Sequence, residues 1–98
     1  MTLEIPEPRK IAEDILRLAS DYGRLGERFN ELNGLYAMWW QTSRPDFKSD
    51  KSAEKAWDLT KEGQEMAEVR LKMKTKQIKM SALKAYLRVL SEEAHNQY

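Results

Sequence analysis

Residues 66–90 read MAEVRLKMKTKQIKMSALKAYLRVL. Met66, Val69, Met73, Lys76, Met80, Leu83, Leu87 and Leu90 recur at alternating three- and four-residue steps, the spacing of one helix face. A second row continues through Ala67, Leu71, Ile78, Ala82, Ala85 and Val89. At about 100° per residue, Ile78 and Met80 point nearly opposite ways. A helix with two opposed apolar faces lies between two partners. One partner is an earlier helix of the same chain. A second copy of the chain is the simplest candidate for the other.

The earlier helix is visible upstream. Ile11, Ile15, Leu18, Tyr22, Leu25, Phe29, Leu32, Tyr36 and Trp39 step by four and three without a fault, which is a heptad seam. Pro6 and Pro8 suit a helix entry. Pro45 disfavours helix at Arg44, and Ser49 or Asp50 can cap the next helix. The pattern predicts an all-α fold. It is a single domain over residues 1–98, a long antiparallel helical hairpin of about 8–42 and 50–94. The loop spans about 43–50, and two hairpins join as a dimeric four-helix bundle or coiled coil. Gly23, Gly26 and Gly34 interrupt the first helix at roughly 1 kcal/mol each relative to alanine. They allow close approach of a neighbouring helix, or mark a kink near Gly34. The second row begins upstream at the same spacing, with Ala53, Trp57, Thr60 and Gln64, and Gly63 is the second helix's weakest point. A break there would separate a short Trp57 helix from the basic one.

Composition excludes several classes. A chain of 98 residues has a marginal core, which self-association commonly supports. Cysteine is absent and His95 is the one histidine, so neither a disulfide framework nor a thiolate metal site is available. No cofactor and no metal is expected. Glu92 and His95 have the Glu-x-x-His spacing of helical dimetal sites, but in one copy at a chain end the match reads as coincidence. MTLEIPEPRK lacks an apolar signal core, and nowhere do eighteen apolar residues run together. The expectation is a soluble cytoplasmic protein, without membrane contact or small-molecule substrate. Nothing in the chain places an activated nucleophile beside an oriented base, so no enzymatic activity is expected.

Charge is unevenly distributed. Residues 1–68 hold ten Lys/Arg and fourteen Asp/Glu, net −4; residues 69–98 hold seven and two, net +5. Between Val69 and Leu90 there are seven basic residues and no acid. Arg70, Lys74, Lys84 and Arg88 share a polar stripe between the two apolar rows, with Lys72, Lys76 and Lys79 on the other flank. Duplex DNA presents a phosphate charge about every 1.7 Å, so the stripe suits several phosphates. The plain alternative is that these are solvated helix flanks, or that they face Glu13, Asp14, Asp21, Glu27 and Glu31 of the first helix. Trp40 points about 100° from the seam residue Trp39. It either anchors a partner or packs under the loop against Phe47 or Trp57. The candidate oligomer interface is Met66, Val69, Met73, Met80, Leu83, Leu87 and Leu90, in which the methionines supply adaptable packing.

The stretch KMSALKAYLRVLSEEAHNQY (79–98), with AWDLTKEGQE (56–65) upstream, resembles the second half of small all-helical accessory proteins of tailed bacteriophages. Such proteins are encoded near recombination and replication genes. The resemblance covers about the last 45 residues. It implies a non-enzymatic protein of the bacterial host cytoplasm that acts on DNA or a DNA-processing complex, and it supplies no functional residues. The alternatives are an inhibitor of a host defence nuclease, such as a CRISPR effector or recombination nuclease, and a structural coiled-coil adaptor. The expected partners are therefore a second copy of the chain, together with DNA or a host nucleoprotein or nuclease.

Overall fold

A computed structural model of the protein describes residues 7–96, with side chains through residue 93. The His95 side chain, and with it the Glu92–His95 spacing, lies outside that range. Among the described residues every regular element is helical: α1 Pro8–Ser43, a 3₁₀ turn Arg44–Asp46, α2 Asp50–Asp58 and α3 Lys61–Asn96. No helix is long and apolar enough to cross a membrane among the described residues.

Helix α1 starts on Pro8, where the missing N–H costs nothing. It runs unbroken through Gly23, Gly26 and Gly34 and stops just before Arg44–Pro45. A Cβ at Gly23 or Gly34 would meet nothing within 4 Å, and one at Gly26 would make ordinary contact with Met73 Cε at 3.9 Å. Close helix approach is therefore not what Gly23 and Gly34 provide.

The expected second helix of about 50–94 is two helices. Ser49 caps α2 in a reciprocal box: its hydroxyl accepts from the Ser52 N–H at 3.2 Å, and the Ser52 hydroxyl accepts from the Ser49 N–H at 3.3 Å. The break falls at Leu59–Thr60. The Thr60 hydroxyl donates to the Trp57 carbonyl at 2.6 Å and accepts from the Gly63 N–H at 2.9 Å. One side chain thus satisfies orphan groups on both helix ends. Gly63 is buried, and a Cβ there would lie 1.9 Å from the Trp57 carbonyl oxygen and 2.7 Å from its carbon. Only glycine permits this turn, because the obstacle is backbone. The reorientation carries Ala53 and Trp57 inward, to 0% and 5% exposure, whereas Leu71, Ile78 and Val89 on the same sequence row stay exposed.

The chain divides into two compact units, Arg24–Lys74 and Met1–Gly23 with Thr75–Tyr98. In the first, Leu32, Trp57, Met66 and Val69 form the buried cluster, with Leu25, Phe29, Tyr36, Trp39 and Met73 packed against it. Helices α1 and α3 run antiparallel there, since Gly26 lies by Met73 and Arg28 by Glu65. Trp39 meets Trp57 at 5.6 Å and Phe47 at 6.0 Å between ring centroids, and Tyr36 meets Trp57 edge-on at 5.0 Å. Such pairs add about 1 kcal/mol beyond their burial. In the other unit Ile11 is buried, and Ile15, Leu18, Tyr22, Met80, Leu83, Leu87 and Leu90 are half-buried.

Substitution should sort the glycines by their surroundings. Gly63→Ala is expected to lower unfolding free energy by about 2 kcal/mol or more and Thr60→Ala by about 1 kcal/mol. Gly34→Ala, free of any neighbour, should raise it by roughly 1 kcal/mol. Urea melts of the three variants measure this.

Candidate functional site

Within Arg24–Lys74, Arg70 is exposed, and its guanidinium lies over the Phe29 ring, 5.4 Å from the centroid. It also lines an open groove of about 330 Å³ with Asn33, Tyr36, Glu54, Trp57 and Asp58. Burial, and then the neighbouring Glu54, Asp58 and Asp50 charges, push the Tyr36 hydroxyl above its ordinary pKa. Lys72 pairs with Glu68 one turn back at 3.0 Å. Lys74 is exposed, with no ion-pair partner among the described residues.

Trp40 is half-buried. Phe47 and Trp57, its expected neighbours, stack on Trp39 instead. Trp40 packs on Tyr36 at 5.7 Å and beneath the Arg44 guanidinium at 5.9 Å. Arg44 is a latch that sequence reasoning missed. It donates to Asp50 Oδ1 at 2.6 Å and to the Phe47 carbonyl at 2.8 Å, pinning the 44–50 connection.

Also missed was Arg28, which spans the two helices. Its Nη2 donates to Glu65 Oε1 at 2.6 Å while Nε reaches the other carboxylate oxygen, and Nη1 donates to Glu31 at 2.9 Å. This two-pronged geometry is the strong form of an Arg–carboxylate pair. The hydrogen bond from Arg28 holds the Glu65 carboxyl below its ordinary pKa, and the two glutamates hold the guanidinium charged.

The other unit holds the remaining cations. Lys76 sits on the inward seam, half-buried, 3.7 Å from Asp21. Asp21 is the one acid among the five expected that pairs with a basic residue of α3. Glu13 pairs with Arg9 at 3.5 Å, Asp14 with Arg17 at 2.6 Å and Glu31 with Arg28, while Glu27 has no ion-pair partner among the described residues. Lys79, Lys84 and Arg88 are exposed and likewise have none among the described residues. Lys79 lines an open groove of about 580 Å³ with Asp14, Arg17, Leu18, Asp21, Lys76, Ala82 and Leu83. Its acids are the two already paired.

The residues expected at a subunit interface divide. Met66 and Val69 are buried inside one chain at 8% and 6% exposure, with Met73 packed against the same cluster. They turn inward because Trp57, swung round by the Thr60 break, closes over them. Met80, Leu83, Leu87 and Leu90 are half-buried on the same side of α3. The opposite side exposes Ile78 at 60%, Val89 at 49%, and Ala82 and Ala85 between them. In comparison with known proteins, no family model matches the chain, and no curated protein or solved structure matches it.

The arrangement can hold anions electrostatically and can bury apolar surface. Acidification tests the forked Arg28–Glu65 ion pair. Because the folded-state pKa of Glu65 is depressed below about 4.5, the pair stabilises fully above that pH, and the contribution fades as pH falls through the folded value. Thermal melts from pH 7 to 3 should therefore show a smaller acid-induced drop for Glu65→Gln than for the unsubstituted chain. At pH 7 the variant should already melt lower.

Proposed function

We propose that the chain is a non-enzymatic accessory protein of phage type that binds DNA or a DNA-processing complex through the outer side of α3. The carrying observation is that Lys79, Lys84 and Arg88 are exposed and have no acidic partner among the described residues, while the nearby α1 acids pair elsewhere. Exposed cations on the flanks of one helix, without neutralisation, draw an anionic macromolecule by long-range attraction. Lys84 and Arg88 take the phosphate-contacting role in this unit. Arg70 and Lys74 supply the same chemistry in Arg24–Lys74, with Arg70 already seated on Phe29. Lys72 and Lys76 are secondary, since each has an internal carboxylate.

A second reading is an inhibitor that docks on a nuclease or another protein of such a complex. The exposed apolar residues Ile78 and Val89 favour it, because phosphate binding leaves them in water.

Affinity for a short DNA duplex should fall steeply as salt rises. Lys84→Ala/Arg88→Ala should flatten the slope of log K against log salt by about 2, roughly one unit for each phosphate that is no longer neutralised. An unchanged slope and affinity in this double variant, at unchanged helicity, would remove these two residues from the binding surface.

A further inference from the structure

Ile78, Ala82, Ala85 and Val89 are spaced by four, three and four residues, the repeat of a helix that packs along a second helix. All four are exposed. Single apolar side chains are ordinary on a surface. These four share one register on a helix whose other side, at Met80, Leu83 and Leu87, is already turned inward. Two alanines at the centre let a neighbouring backbone come close, and the branched side chains at each end supply contact area. Ala82 also lines the groove between α1 and α3 in this unit, beside Leu18 and Lys79, so the row continues into a concave edge.

The flanks identify the occupant. With Ile78 and Val89 in the seam, Lys79 and Arg88 take the two positions that border it, and Lys84 lies just beyond. No acid interrupts residues 69–90, and in this unit Asp14 and Asp21 are engaged by Arg17 and Lys76. A second copy presenting the same row would set Lys79 and Arg88 against their like, which disfavours pairing. DNA would satisfy the cations and leave Ile78 and Val89 unburied. A lipid surface requires a broader apolar face than two large side chains and two alanines.

We infer that the outer face of α3 over residues 78–89 docks an amphipathic helix of a partner protein whose seam is bordered by Asp or Glu. Ile78, Ala82, Ala85 and Val89 form this chain's half of the seam, and Lys79, Lys84 and Arg88 pair with the partner's carboxylates. The inference rests on the reading that the outer side of α3 is the binding face, and it names the partner's chemistry.

Three synthetic peptides of about three heptads test it against the full chain by fluorescence anisotropy. One carries a Leu seam with Glu borders, one a Leu seam with Lys borders, and one a Ser seam with Glu borders. The first should bind, and the other two should bind about tenfold more weakly or worse. Ile78→Ser/Val89→Ser should weaken the first by about tenfold or more, with unchanged circular dichroism and unchanged duplex binding. Equal binding of the acidic peptide by this variant and the original overturns the inference. So does absence of peptide binding while duplex binding persists, which leaves the anionic-partner reading standing. If the unsubstituted chain binds neither peptide nor duplex, the outer face of α3 is removed as a binding surface altogether. A dimer in sedimentation that Ile78→Ser/Val89→Ser dissolves would make the occupant a second copy and overturn the inference equally.

Discussion

The unit Arg24–Lys74 depends on one backbone contact, the approach of Gly63 to the Trp57 carbonyl. An apolar row that stayed on one continuous helix would place Trp57 on the side away from α1. Breaking the helix at Leu59–Thr60 and crossing the two pieces at Gly63 brings the indole back over Leu32, Met66 and Val69. The crossing is tight enough that no side chain fits. Thr60 makes it inexpensive by bonding both the departing Trp57 carbonyl and the arriving Gly63 N–H. Fixing these few residues settles where the largest side chain of the cluster goes. Tyr36, Trp39 and Phe47 then pack around it.

Helix α1 was legible residue by residue. Its four-three spacing from Ile11 to Trp39 is inward at every step, and Pro45 marks its end within a residue. The α2–α3 junction was legible only as a weak point. Four-three spacing alone runs across Thr60 and Gln64 without a fault, because a helix row does not register whether the helix continues. The local signal was a Thr with Gly three residues on, which competes poorly with long periodicity until the tertiary clash at Gly63 is known. Glycine identity likewise carried less than its surroundings. Gly23 and Gly34 sit in open space and Gly63 against backbone, a contrast that no one-dimensional pattern encodes.

The charges were half legible. That residues 69–90 hold no acid was plain. Whether α1 acids would neutralise them depended on competition within α1. Arg9, Arg17 and Arg28 stand three or four residues from Glu13, Asp14 and Glu31, and such local pairs form at little entropic cost. Among the described acids of α1, Asp21 alone pairs with a cation of α3, at Lys76 on the inward seam. Arg28 had a stronger partner across the helices in Glu65, and this pairing needed the register of α1 against α3, which the sequence alone leaves open.

These two results meet on α3. The helix began as one with opposed apolar sides, and the chain resolves that conflict differently along its length. Before Thr60 the conflict ends by a break that turns Ala53 and Trp57 inward. After it, α3 continues unbroken to Asn96, so Ile78 and Val89 stay outside while Met80 and Leu83 face in. No second break spares them, and among the described residues no acid pairs with the cations that border them. On the proposed reading, burial of the row and neutralisation of its borders both fall to a partner. Anionic charge alone meets one of these demands and an apolar patch alone the other. A helix carrying both along a single edge meets the two together, at the spacing that α3 already has.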